Sequence, residues 1–192
     1  MSVQLNSHDL LRVNVIGNSG SGKSTFSKRL AEKLGSPYLE MDLLFHGPNW
    51  TQPAPEVFQD RIREAVSGER WVLDGNYHGK TYEIKWPRST SVIWIDTPFV
   101  HNLWRMVCRT MNRAWTKKEL WPGTGNRESF RQALFSTDSM ILWMLTSYPK
   151  IQKRYSQIQR NPPYEHFKFI RLAGNREVEK FFTELDLVSR RR

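Results

Sequence analysis

One stretch of this 192-residue chain limits what the rest can become: residues 12–34, RVNVIGNSGSGKSTFSKRLAEKL. Arg12–Ile16 is a short β-branched run, apolar except for Asn14, and reads as a buried strand. It stops at Gly17, and from Lys23 apolar residues return at helical spacing as Phe26, Leu30, Ala31 and Leu34. Between them, Gly17-Asn18-Ser19-Gly20-Ser21-Gly22-Lys23-Ser24 satisfies G-x-x-x-x-G-K-[ST]. The glycines allow backbone angles that turn successive N–H groups inward on a phosphate chain, and the following helix N-terminus adds partial positive charge. Lys23 is expected to reach the β- and γ-phosphates and Ser24 to offer its hydroxyl to Mg²⁺. With a strand before it and a helix after it, the run from Gly17 to Thr25 reads as a phosphate-binding loop.

The length suits one domain with a sizeable core. No long apolar stretch is present, and Met1–Leu11 lacks a basic-then-apolar leader pattern, so a cytoplasmic protein without a membrane segment is expected. A single cysteine, Cys108, excludes an internal disulfide and a cysteine-rich zinc site. The net charge of +10 is uneven. Residues 1–100 hold 11 Lys/Arg against 11 Asp/Glu, whereas residues 101–192 hold 18 against 8 and so carry the whole excess. Such a balance suits polyphosphate chemistry and also raises nucleic-acid binding as an alternative. No helix-turn-helix, zinc or RNA-binding signature accompanies it, so nucleic acid is not the favoured partner. The last residues, 189–192, read as a basic solvated tail.

Further strands are expected at Tyr38–Met41, Trp71–Asp74, Ser91–Asp96 and Lys168–Leu172. Helical patterns fall at Glu56–Val66, Pro98–Thr116, Glu128–Tyr148 with a break near Pro149, Lys150–Arg160, and Arg176–Leu185. Phe45–Pro53 and Glu119–Arg127 read as irregular loops. Alternating strands and helices imply a parallel sheet covered on both faces. Asp42 falls at the carboxyl end of the second strand, where open α/β sheets keep their ligand crevice. In the helix beginning at Pro98, Arg105, Arg109 and Arg113 advance by about 40° per step and so line one stripe. A planar guanidinium on that stripe is suited to clamping phosphoryl oxygens or stacking on a base, although a solvated basic stripe has the same spacing. Arg127 and Arg131, also one turn apart, are open to the same two readings.

The segments GNSGSGKST, MDLLF, WVLDGNY, IDTPFVHNLWRMVCRTMNR and NRESFRQALFS together resemble the adenylate-kinase-like P-loop kinases over nearly the full chain. The closest likeness is to the bacterial group labelled "DNA topology modulation" or "adenylate kinase and related kinases". The resemblance implies a three-layer P-loop kinase fold as one domain, with five parallel strands ordered 2-3-1-4-5 and a helical lid from about 100 to 160. It implies ATP and Mg²⁺ as cofactors. Arg105 matches the arginine that stacks on the adenine in such kinases, and Arg109 the one that reaches the transferring phosphoryl group, with Arg113 or Arg131 in support. Asp74 matches the acid that holds Mg²⁺ through water, alongside Ser24; Asp96 could share that work or be structural. Gly174 and Asn175 fall where relatives wrap the adenine, although Asn175 also suits a helix N-cap.

The pattern departs at the acceptor. Nucleoside monophosphate kinases carry an arginine soon after the second strand and another after the Asp-Gly of the third, both for the acceptor's phosphate. Here Asp42-Leu43-Leu44-Phe45-His46 and Asn76-Tyr77-His78 stand in those places, with Lys80, Lys85 and Arg88 the only nearby substitutes. In alcohol-phosphorylating kinases a carboxylate can accept the hydroxyl proton or orient the nucleophile, a role open to Asp42; capping the following segment is the other. The expectation is an ATP-dependent small-molecule kinase acting at a hydroxyl, as a monomer or homodimer. Lys23, Asp42, Arg109, Arg113 and Arg131 would be its catalytic residues. The alternatives are a nucleoside monophosphate kinase and a nucleic-acid-associated NTPase.

Overall fold

The computed structural model describes residues 6, 8–77, 79, 81–117, 119–121, 123–126 and 140–189. Its centre is a parallel five-stranded sheet: β1 Arg12–Gly17, β2 Tyr38–Glu40, β3 Trp71–Asp74, β4 Ser91–Ile95 and β5 Lys168–Leu172. The strand order is β2-β3-β1-β4-β5, as expected. The chain order therefore reverses beside β1, and the loop leaving β1 opens into the crevice where such sheets hold ligands.

Helices cover both faces. Val13, Val15, Val72, Ile93 and Ile170 pack against Phe26 and Leu30 of α1 (Lys23–Leu34) and Phe181, Phe182 and Leu185 of α7 (Asn175–Ser189). On the other face Ile16, Val92 and Trp94 meet Ile151 and Tyr155 of α6 (Met140–Arg160), with Trp86 and Phe167. A third cluster under β2 and β3 joins Met41, Phe58, Ile62, Trp71 and Leu73, with Phe58 and Ile62 supplied by α3 (Pro55–Ala65). The polar Asn14 inside β1 is fully buried and satisfied. Its amide donates to the Leu73 and Gly75 carbonyls at 3.0 and 3.3 Å, and its Oδ1 accepts from the Trp86 indole at 2.9 Å. It thus ties β1 to β3 through bonds that an apolar residue could not make.

Several elements differ from expectation. β2 ends at Glu40, because its partner β3 ends at Asp74 and no ladder remains beyond that pair. The chain instead turns into a short helix, α2 (Met41–Phe45), with Met41 fully buried, so Asp42 lies in a helical first turn rather than on a strand end. Pro48–Trp50 forms a 3-10 turn within the stretch expected to be irregular. A short helix, α4 (Thr81–Lys85), had no periodic signal at that length. Helix α6 passes through Pro149 without the expected break. An interior proline costs about 3 kcal/mol. Pro149 itself is exposed, and buried Met144, Ile151 and Tyr155 on either side anchor the helix to the core. Of the stretch expected to be helical over Glu128–Tyr148, residues 128–139 lie outside the described residues, as do Arg127, Arg131, His78 and Lys80.

Candidate active site

The phosphate loop is formed and fastened from three sides. Gly17 donates its N–H to Asn76 Oδ1 at 2.9 Å, and the Asn76 amide donates back to the Gly17 carbonyl at 2.8 Å. Thr97 Oγ1 donates to the Ser21 carbonyl at 3.0 Å, and Asn102 donates to the Thr97 carbonyl at 3.0 Å. Space explains two of the glycines. A Cβ on Gly17 would come within 2.7 Å of the Ile95 carbonyl oxygen. One on Gly20, whose φ is +82°, would come within 2.5 Å of the Asn102 carbonyl oxygen. Helix α1 then begins at Lys23 with Gly22 in the left-handed region. Lys23 and Ser24 are half-buried and Thr25 is exposed on that first turn. Asn18 Oδ1 and Ser21 Oγ are buried without a hydrogen-bond partner among the described residues. The unpaired Ser21 hydroxyl, which can donate, fits a phosphate ligand at this glycine-rich loop ahead of the α1 N-terminus.

Two of the three arginines on α5 (Phe99–Thr116) meet their expected neighbourhoods. Arg109 Nη2 donates to Ser19 Oγ at 2.9 Å, which places its guanidinium on the phosphate loop. Arg105 Nη2 donates to Asn175 Oδ1 at 3.2 Å, and its Nη1 lies 3.6 Å from where a Gly22 Cβ would be. Arg105 therefore bridges the phosphate loop to the loop after β5. There Gly174 takes a positive φ, and Glu177 accepts the Ala173 N–H at 2.7 Å. Asn175 opens α7 with its side chain engaged by Arg105. Arg113 stands one turn further along the same stripe, half-buried.

Asp74 ends β3 and is almost fully buried. Its Oδ2 accepts from the Tyr38 hydroxyl at 3.0 Å, while Oδ1 is buried without a partner among the described residues. Burial and the neighbouring Asp74 and Glu40 carboxylates push the Tyr38 phenol well above its ordinary range, so it remains a donor. An orphaned carboxylate oxygen at this position fits a metal ion or its water ligands. Asp96 is committed otherwise. It pairs with Arg171 at 2.5 Å and accepts from Gln152, and so holds β5 and α6 in place as a structural residue.

On the far side of the phosphate loop, Asp42 Oδ1 accepts from the Tyr77 hydroxyl at 2.8 Å. Burial and this carboxylate push the Tyr77 phenol up. Aromatic groups surround the pair. Phe45 lies 4.9 Å from Tyr77, and His46 stacks on Trp121 at 4.5 Å. Trp50 meets Trp121 edge-on at 5.8 Å. Burial lowers the pKa of His46, which Asp42 opposes. The loop carrying Trp121 is tied down by Asn126, which donates to the Gly47 carbonyl at 3.0 Å and accepts the Trp50 N–H at 2.8 Å. Trp121 Nε1 is 3.4 Å from Glu40 Oε1.

Neither described substitute for the missing arginines serves an acceptor. Lys85 is fully buried and donates to the Gly75 and Asn76 carbonyls; burial lowers its pKa to about 7. Arg88 binds the Val66 and Ser67 carbonyls. Asn76, which stands in sequence where an acceptor arginine is expected, instead clamps Gly17. The Trp121–His46 stack and the Asn126 tie carried no local signal, since each joins residues some 75 or more positions apart.

No protein-family model matches the chain. A cytidylate kinase from Maridesulfovibrio salexigens is 29% identical over 87 residues. That match covers 44% of this chain and 39% of that kinase's length. Solved structures are similar over nearly the whole chain. A shikimate kinase from Bacteroides thetaiotaomicron has TM-score 0.54 at 14% identity, covering 94% of this chain and 98% of that one. A shikimate kinase from Acinetobacter baumannii, in complex with shikimate, has TM-score 0.55 at 18% identity with 94% of each chain covered. A gluconokinase from Sinorhizobium meliloti 1021 has TM-score 0.51 at 18% identity, with 94% and 93% covered. The fold is thus that of P-loop kinases.

Proposed function

We propose that this protein is an ATP- and Mg²⁺-dependent kinase that transfers a phosphoryl group to a hydroxyl of a small molecule. The phosphate loop, Lys23 and Arg109 are the parts that neutralise a nucleotide's phosphates, and Arg105 with Gly174 and Asn175 holds the base end. Ser24 and Asp74 would hold the metal, which when bound would offset the negative charge on the phosphates. Arg113 and Arg131 would support the transferring group. Because such transfer depends chiefly on positioning and charge stabilisation, these groups suffice for the donor side. Helix α5 and the residues onward would act as the lid, short of the part of α6 that Met144, Ile151 and Tyr155 anchor in the core.

The observation that carries the acceptor reading is Asp42, held by Tyr77 at 2.8 Å where monophosphate kinases place an arginine. A dianionic phosphate beside this carboxylate would cost a few kcal/mol at an effective dielectric of about 20. A hydroxyl there would find an acceptor for its proton. Shikimate kinase and gluconokinase among the structural neighbours support the alcohol-type acceptor, though at identities that speak for the fold alone. The local cytidylate kinase match supports the second reading, a nucleoside monophosphate kinase. The narrower likeness to the "DNA topology modulation" group rests on the sequence segments. The test is ADP release from ATP against a panel of nucleoside monophosphates, nucleosides, sugars and hydroxy acids. Turnover with a hydroxyl compound and not with AMP, CMP, UMP or GMP is expected; rapid turnover with a monophosphate overturns the reading.

A further inference from the structure

Helix α5 has a second face that the nucleotide site does not use. Val100, Trp104, Met111 and Trp115 are 72, 69, 46 and 80% exposed, and Cys108 is exposed among them. At 100° per residue these five side chains fall within an arc of about 80°. Asn102, Met106, Thr110 and Ala114 form the buried face of the same helix. Arg105, Arg109 and Arg113 lie about 100–180° round from Trp104, and the first two are engaged with Asn175 and Ser19. A polyanion approaching the exposed face would therefore meet indoles rather than guanidinia.

We propose that this face is a self-complementary surface through which two copies of the chain pair, α5 against α5 in antiparallel sense. The spacing supports that occupant. Trp104, Cys108, Met111 and Trp115 are separated by four, three and four residues, the alternation of a coiled-coil seam. The spacing reads the same from either end, which an isologous two-fold contact between antiparallel helices requires. With the axis passing between Cys108 and Met111, Trp104 faces the second copy's Trp115 and Cys108 faces its Met111. The stripe itself carries no charged side chain, so the pairing buries no ion. The two indoles alone expose on the order of 300 Å². With Val100, Cys108, Met111 and the neighbouring His101, Val107 and Asn112, the strip approaches the roughly 800 Å² per partner of a stable interface.

Sedimentation equilibrium of the full chain tests the pairing. The parent protein should be a dimer at micromolar concentration. Trp104→Glu and Trp115→Glu should each weaken the dimer by roughly 30-fold or more, as for loss of an interface anchor. The shift of the melting temperature with ATP should stay as in the parent, since neither residue touches the nucleotide site, while the melting temperature itself falls to that of the free protomer. Register is tested separately by oxidation. Met111→Cys should give a disulfide-linked dimer through Cys108 of the other copy. Adding Cys108→Ser should abolish that link, and the parent protein should form none. A monomeric parent, a dimer indifferent to both glutamates, or a Cys108–Cys108 link in the parent each overturns the proposal. So does a monomer whose indoles instead engage lipid vesicles or duplex DNA.

Discussion

The proposed donor and acceptor sides of the crevice are built by different means. The donor side is a backbone structure: glycines where a Cβ would come within 2.5–2.7 Å of a carbonyl oxygen, an amide tie from Asn76, a hydroxyl tie from Thr97, and two arginines reaching in from one helix. The acceptor side is a side-chain structure, in which Asp42 and Tyr77 lie within a cluster of Phe45, His46, Trp50 and Trp121. Phosphates are the same in every nucleotide and suit fixed amides, whereas an acceptor's shape is matched by side chains. Substitutions on the donor side should therefore act on every reaction, and those on the acceptor side on the choice of acceptor.

The largest effect expected is from Arg109→Ala, which should lower kcat on the order of 10²–10³-fold, as for loss of one preorganised charge donor. Arg105→Ala should chiefly raise the KM for ATP and relax the choice of base. Equal and mild losses from both would reduce the stripe to solvated surface. Next, saturating ATP and Mg²⁺ at 100 times Kd should stabilise the parent by about 2.7 kcal/mol. For a chain of this length that is roughly 5–10 °C in Tm. Lys23→Ala should remove most of that shift without unfolding the protein; an unshifted parent would contradict the nucleotide site.

The smallest effect concerns Lys85, which sits between the two sides. Its Nζ lies 3.3 Å from the Gly75 carbonyl and 5.4 Å from the Tyr82 ring centre, and it also donates to the Asn76 carbonyl. Burial holds its pKa at about 7, against 10.5 for an ordinary lysine. Between those values the unfolded chain binds the extra proton, so this group makes folding more favourable as pH rises from about 7 toward 10.5 and contributes no slope below. Thermal melts from pH 7 to 9 should show the parent gaining on Lys85→Met as pH rises. Parallel curves would contradict the lowered pKa of the buried Lys85 amine.

The same contrast explains what could be read from the sequence. The phosphate loop and the Arg105–Arg109 stripe were legible because each follows from local spacing, whereas the sheet order was implied by the resemblance to the P-loop kinases. All five expected strands start where the observed ones do and end within a residue of them, since apolar runs mark buried parallel strands well. What was not legible depends on distant pairing. Helix α2 forms because β3 runs out opposite Glu40, and no residue in MDLLF announces that. Lys85 reads as a substitute for a missing acceptor-phosphate arginine until α4 folds it beneath Gly75. Trp121 joins the acceptor side only through His46, Trp50 and Asn126.

The central claim is that Asp42 serves a hydroxyl acceptor. It is tested most directly by following the γ-phosphate of ATP by ³¹P NMR, with the best acceptor from the panel, in the parent and in Asp42→Asn. The account predicts a phosphate monoester on a hydroxyl oxygen in the parent. It predicts a kcat lower by about 10²-fold or more in the variant, in line with general-base contributions, with the ATP-induced melt shift unchanged. A phosphoanhydride formed on a nucleoside monophosphate, at nearly the same rate in Asp42→Asn, would contradict it.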